Sequence, residues 1–142
     1  MKNIFKIFGS FLFLALIVSS CKQEQVDENQ VLKQEVIDIH DEVMPRMGEL
    51  RSLKKSLLEK VEQLGAEDAE ENAEEIKRLQ AYADNLEDAF EGMFVWMRQF
   101  QSNYEGSEEE VYEYLLEQKV LVEKVNRDIK SSIENAKKEL GS

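Results

Sequence analysis

Ile76-Lys77-Arg78-Leu79-Gln80-Ala81-Tyr82-Ala83-Asp84-Asn85-Leu86-Glu87-Asp88-Ala89-Phe90-Glu91-Gly92-Met93-Phe94-Val95-Trp96-Met97 is the most informative stretch of this chain. Ile76, Ala83, Phe90, Met97 and then Tyr104 recur every seven residues, and Leu79, Leu86, Met93 and Phe100 form a second row three places behind. Seven residues are almost two turns of an α-helix, so both rows return to one face. No polar residue interrupts either row. The spacing predicts one long amphipathic helix over residues 68–104.

The same period holds on both sides. Before it, Val36, Val43, Leu50, Leu57 and Leu64 repeat every seven residues, with Leu32, Ile39 and Leu53 in a second row that Arg46 and Lys60 interrupt. Met47 and Val61 follow those interruptions by one residue, which widens the stripe enough to face two neighbours. After it, Leu115, Val122, Ile129 and Ala136 repeat, flanked by Val111, Tyr112, Val125, Ile133 and Leu140, with Gln118 and Ser132 inside the series. Helices are therefore expected over residues 29–64, 68–104 and 108–140.

Two short joints separate them. Gly65 stands where a helix end favours a left-handed residue, and Asp68 where the next helix needs an N-cap acceptor. Gly106 repeats the first role, and Ser107-Glu108-Glu109-Glu110 has the S-x-x-E form of a capping box. Short joints between long helices make sequential neighbours antiparallel, so the expected fold is all-α, an up-down-up antiparallel three-helix bundle with coiled-coil-like packing. Pro45 removes the N–H that would bond the carbonyl of Asp41, and Gly48 weakens the next turn, so a kink is expected there with both residues facing outward.

The N-terminal segment reads as an address. Lys2 and Lys6 precede the apolar run Phe11 to Val18, which ends in Ser19 and Ser20. This is the layout of a secretory signal, and the run is too short to span a bilayer. Leu16-Ile17-Val18-Ser19-Ser20-Cys21 resembles the bacterial lipobox, which implies cleavage before Cys21, lipid on its thiol and acylation of the new amino group. Residues 1–20 are then the signal peptide and 21–28 a polar, lipidated tether to the bundle of residues 29–142. Cys21 is the single cysteine, so no disulfide is available to the fold.

Without the leader, 16 basic side chains (18 less Lys2 and Lys6) face 30 acidic ones, a formal charge of −14. That sign repels phosphate backbones and disfavours nucleic acid as a partner. Six Gly and one Pro in 142 residues provide too few turns for a many-stranded sheet. Six acids between Gly65 and Glu75 read as a solvated, dipole-matched helix start. The aromatic residues, among them Phe94, Trp96 and Tyr104, gather at the opposite end, beside the anchored start, and are the expected contact for a partner.

Catalytic chemistry has little to draw on. His40 is the single histidine, and no P-loop, G-x-S-x-G turn or pair of Glu-x-x-His repeats accompanies it, so no catalytic residue is assigned and no enzymatic activity is expected. One soft ligand set is conceivable. His40 and Met44 are four apart on the first helix and Met93 and Met97 four apart on the second, and pairing about a joint at Gly65 sets His40 level with Met93. Imidazole with thioethers favours Cu(I), so these four residues are the alternative metal site. The competing reading makes Met93 and Met97 core filler and His40 a flanking residue held by Asp41.

His40-Asp41-Glu42-Val43-Met44-Pro45-Arg46-Met47, Trp96-Met97-Arg98-Gln99-Phe100 and Ser132-Ile133-Glu134-Asn135-Ala136-Lys137 together resemble a family of small helical lipoproteins of Bacteroidetes, often labelled "viral A-type inclusion protein". The likeness covers nearly all of the chain beyond the leader. It implies an exported, helical, membrane-anchored protein of the outer membrane or cell envelope and carries over no catalytic residue. Cys21-Lys22-Gln23-Glu24 matches only in part the lysine-plus-acids signal that takes some such lipoproteins to the cell surface, so periplasmic and surface-facing placements both stay open. The functional expectation is a non-enzymatic interaction or spacer module that contacts another envelope protein, with Cu(I) binding as the alternative.

Overall fold

A computed structural model describes residues 27–141; the leader, the lipidation site Cys21 and the tether as far as Val26 lie outside the described residues. The described chain is all-helical: α1 (Glu28–Val43), a single 3-10 turn (Met44–Arg46), α2 (Met47–Asp68), α3 (Ala73–Gln99) and α4 (Glu108–Leu140). There is no strand among the described residues.

The first rod begins where Asp27 caps it. Its Oδ1 accepts from the backbone N–H groups of Asn29 (3.0 Å) and Gln30 (3.3 Å), two of the donors a helix start leaves unpaired. Pro45 then tightens one turn rather than ending the rod: Met44 and Met47 keep helical dihedrals, and Met47 N–H bonds the carbonyl of Met44. Pro45 and Gly48 are both exposed, so the tightened turn costs the core nothing.

The joint after α2 differs from its expected form. Gly65 is not a cap; α2 continues through it to Asp68, and the one glycine with positive φ among the described residues is Gly141, at 73°. Asp68 does accept backbone N–H bonds, from Glu70 (3.0 Å) and Glu71 (2.9 Å), but it does so at the end of α2. The N-cap of α3 is Asn72, whose side chain instead donates to the carbonyl of Leu64 (3.1 Å). A helical glycine with open space around it costs only about 1 kcal/mol relative to Ala, which the partly buried Val61 and Leu64 in the turn before it offset.

The second joint also starts earlier than the heptad rows imply. α3 stops at Gln99, Phe100 turns extended, and Tyr104 lies in the connecting loop. Gly106 has no left-handed φ. Ser107 and Glu110 do form the capping box: the Ser107 hydroxyl accepts from Glu110 N–H, and the Glu110 carboxylate accepts from Ser107 N–H at 2.8 Å. Those bonds hold the Glu110 carboxyl below its ordinary pKa, the backbone N–H of Ser107 contributing most.

Cross-links between the rods set their directions. Lys54–Glu87 and Lys60–Glu75 run α3 antiparallel to α2, and Arg78–Glu139 with Ser132 Oγ to the Asn85 carbonyl (3.2 Å) run α4 antiparallel to α3. Asn29 to the Glu108 carbonyl, Lys119–Glu35 and Lys130–Glu42 run α4 parallel to α1. Exposed ion pairs of this kind add little stability but report register well. The core they surround is continuous, from Val36, Val43, Leu50 and Leu57 through Leu79, Leu86 and Met93 to Val122, Ile129 and Ile133. No described helix is long and apolar enough to cross a membrane.

Candidate functional site

The side chains singled out from the sequence converge in part, at the end where α1 begins and α3 passes into α4. Because the joint after α2 centres on residues 69–72, the register moves, and His40 meets Trp96 instead of Met93. The His40 ring lies 5.6 Å from the indole, and its Nδ1 donates to Asp41 Oδ1 at 2.8 Å. From there a ladder of rings leads into the loop: Trp96 on Phe100 (5.0 Å), Phe100 on Tyr114 (6.4 Å) and Tyr114 on Tyr104 (4.2 Å, 8° between planes). Tyr114 Oη also accepts from the backbone N–H of Gln101 at 2.6 Å, which fixes the chain where α3 has ended.

This ladder explains why the helix stops early. Phe100 gains a ring stack on each side in an extended conformation, and the chain turns to deliver Tyr104 to Tyr114. Trp96, expected to face a partner, is only 5% exposed and serves as a wall of the core; its Nε1 has no partner among the described residues, so its contribution is ring area. Phe94 is half-buried against Phe90 (4.9 Å). Tyr104 is the one of the three that presents itself, at 37% exposure.

The four residues of the alternative metal site are spread over different surroundings. Met93 is enclosed by the core, Met44 packs on its edge, and Met97, expected in a core row, is 38% exposed. Along α3 the inward place passes from Ala83 to Ala89, one position short of a full heptad, and then a heptad on to Trp96, so the large indole takes the enclosed site and the thioether one residue on is turned about 100° away. Among the described residues no three His, Cys, Asp or Glu side chains are grouped to hold a metal ion.

The heptad rows also missed a polar cluster built around one buried side chain. Asn126 follows Val122 by four residues and precedes Ile129 by three, which is stripe spacing, and it is buried. Its Nδ2 donates to the carbonyl of Ile39 (3.0 Å) and to Glu42 (2.8 Å), and Lys130 reaches the other oxygen of Glu42 at 2.6 Å. Lys130 first, and Asn126 next, hold the Glu42 carboxyl below its usual pKa. This cluster ties α4 to α1 just before the Pro45 turn. The spacing was the available signal; an Asn within it reads as an interruption until a partner is known.

In comparisons with family models, curated proteins and solved structures, nothing matches this chain.

Proposed function

We propose that this protein is a lipid-anchored envelope lipoprotein whose folded part is an up-down-up three-helix bundle, acting without catalysis as a spacer and as a docking module for another envelope protein. The observation that carries the reading is the position of α1. It is capped by Asp27, six residues after Cys21, so the tether is short and the bundle stands directly on its anchor. Acyl chains contribute about 0.8 kcal/mol per buried methylene, and two or more hold a protein on a bilayer stably. From that root α4, with 33 residues at 1.5 Å each, reaches about 50 Å. The end nearest the anchor carries Tyr104, which supports a partner contact there.

Two experiments separate the parts of this reading. Cys21→Ala should move the protein from the membrane fraction to the soluble fraction; retention in the membrane would remove the lipid anchor. A photo-cross-linker at Tyr104 in intact cells should capture one envelope protein reproducibly, and its failure to do so would remove the docking role while leaving the anchor in place.

A further inference from the structure

Lys33 is a half-buried cation that no carboxylate answers. Arg46, Lys54, Lys60, Lys119, Lys130 and Lys137 are the other half-buried basic side chains among the described residues, and each is in an ion pair with a glutamate. Lys33 has neither an ion pair nor a hydrogen bond among the described residues. In a chain with 30 acidic and 18 basic side chains a partly enclosed ammonium without a counterion stands out, because a charge loses more than a neutral group when water is withdrawn from it.

The cleft that Lys33 lines shows what would answer it. About 160 Å³ of space lies between the first two turns of α1, the loop after α3 and the start of α4. Val111 and Leu115 supply its apolar wall, and Gln30, Gln101, Ser102 and Tyr104 bring amide and hydroxyl donors that are not hydrogen-bonded to other described residues. No Asp or Glu lines it, whereas three other clefts carry Glu87, Asp88 with Asp128, or Glu28 with Glu35. The loop side is set in advance: Tyr104 stacks on Tyr114, whose Oη accepts from the Gln101 N–H. One positive charge among neutral donors, with no carboxylate, suits a small oxyanion. We propose that the Lys33 cleft binds a single phosphate group. The acidic surface around it still repels a longer phosphate backbone. Lys33 lies in the second turn of the helix that Asp27 caps six residues after Cys21, so a phospholipid headgroup is the source at hand. That source rests on the anchored reading above; the preference for phosphate rests on the cleft alone.

Titration of the full chain in dodecyl maltoside, which carries no phosphate, tests this. Inorganic phosphate and glycerophosphoethanolamine, the headgroup without its acyl chains, are added in turn while nuclear magnetic resonance follows the Tyr104 ring and the Lys33 ε-methylene. A saturable shift is expected, with affinity reduced about tenfold or more in Lys33→Met at unchanged helical circular dichroism, and retained in Lys33→Arg. Lys138→Met, which removes an exposed lysine, should leave it unchanged. Tighter binding of glycerophosphoethanolamine supports the site with a headgroup as its source, and tighter binding of inorganic phosphate supports it with the free ion. No saturation with either probe, the same shift from sodium chloride at equal ionic strength, or full affinity in Lys33→Met overturns the proposal. The titration reads the cleft whether or not Cys21 bears lipid, so its failure is distinct from that of the anchor.

Discussion

Leu57 and Leu58 are adjacent, chemically identical and placed on opposite sides of the fold's phase: Leu57 is 0% exposed and Leu58 is 42% exposed. Leu57→Ala removes three carbons from a cluster that includes Leu50 and Leu79. At about 0.8 kcal/mol per buried methylene, the transfer loss is about 2.4 kcal/mol, and the cavity left in an imperfectly relaxing core raises it to about 3–4 kcal/mol. At Leu58 two-fifths of the side chain is already in water and solvent fills the space left, so about 1 kcal/mol or less is expected. Urea unfolding followed by helical circular dichroism measures both. The expected midpoint loss is several-fold larger for Leu57→Ala, at an unchanged dependence on denaturant, with a fall in melting temperature on the order of 10 °C. Equal losses would refute the assignment, because they would require α2 to be rotated by about half the angle between these two side chains.

Other outcomes follow from the caps and charges. Gly65→Ala should stabilise by roughly 0.5–1 kcal/mol in thermal melts, since Gly65 is within α2 with open space around it; a loss would return it to a left-handed cap. Ser107→Ala should cost about 0.5–2 kcal/mol by removing the capping box, and Ser107→Asp should recover part of that. Glu42, Glu49 and Glu110 all have lowered folded pKa values, through Lys130, Lys137 and the Ser107 N–H respectively. A lowered folded pKa means the contribution is complete above the unfolded value near 4.3 and is lost as pH falls through the folded one, so melting temperature should drop on acidification below about pH 5. Lys130→Met should flatten that drop. Asn126→Asp sets a carboxyl against Glu42, so its destabilisation should grow as pH rises from 4 to 7, the reverse of the wild-type trend.

Much of the architecture was legible because it is written in local, repeated chemistry. The seven-residue rows placed Val36, Leu50, Leu79, Met93, Val122 and Ile129 in the core, and the Ser107-x-x-Glu110 pattern marked the start of α4 within one residue. Pro45 marked the tightened turn for an equally local reason, its missing N–H. What could not be read depends on partners far away in sequence. Gly65 suits a helix interior or a helix end, and only the packing of its neighbours decides. The end of α3 is set by Tyr114, thirteen residues beyond Gln101, and the enclosed place of Trp96 is set by His40 on another rod. Asn126 looks like a flaw in a stripe until the Ile39 carbonyl and Glu42 stand opposite it. Once the first joint was misplaced by a few residues, the register that levelled His40 with Met93 moved as well.

The parallel course of α1 and α4 has a mechanical meaning. Asp27 and Gly141 emerge at opposite ends, so tension applied between them pulls the two helices past one another along their length. Asn29 with Glu108, Glu35 with Lys119, Glu42 with Asn126 and Lys130, and Glu49 with Lys137 are then strained together in shear. Antiparallel neighbours tugged from a shared end would open like a zipper, one contact at a time; here the whole row must slip at once, which makes the bundle stiffest along the line from Asp27 to Gly141.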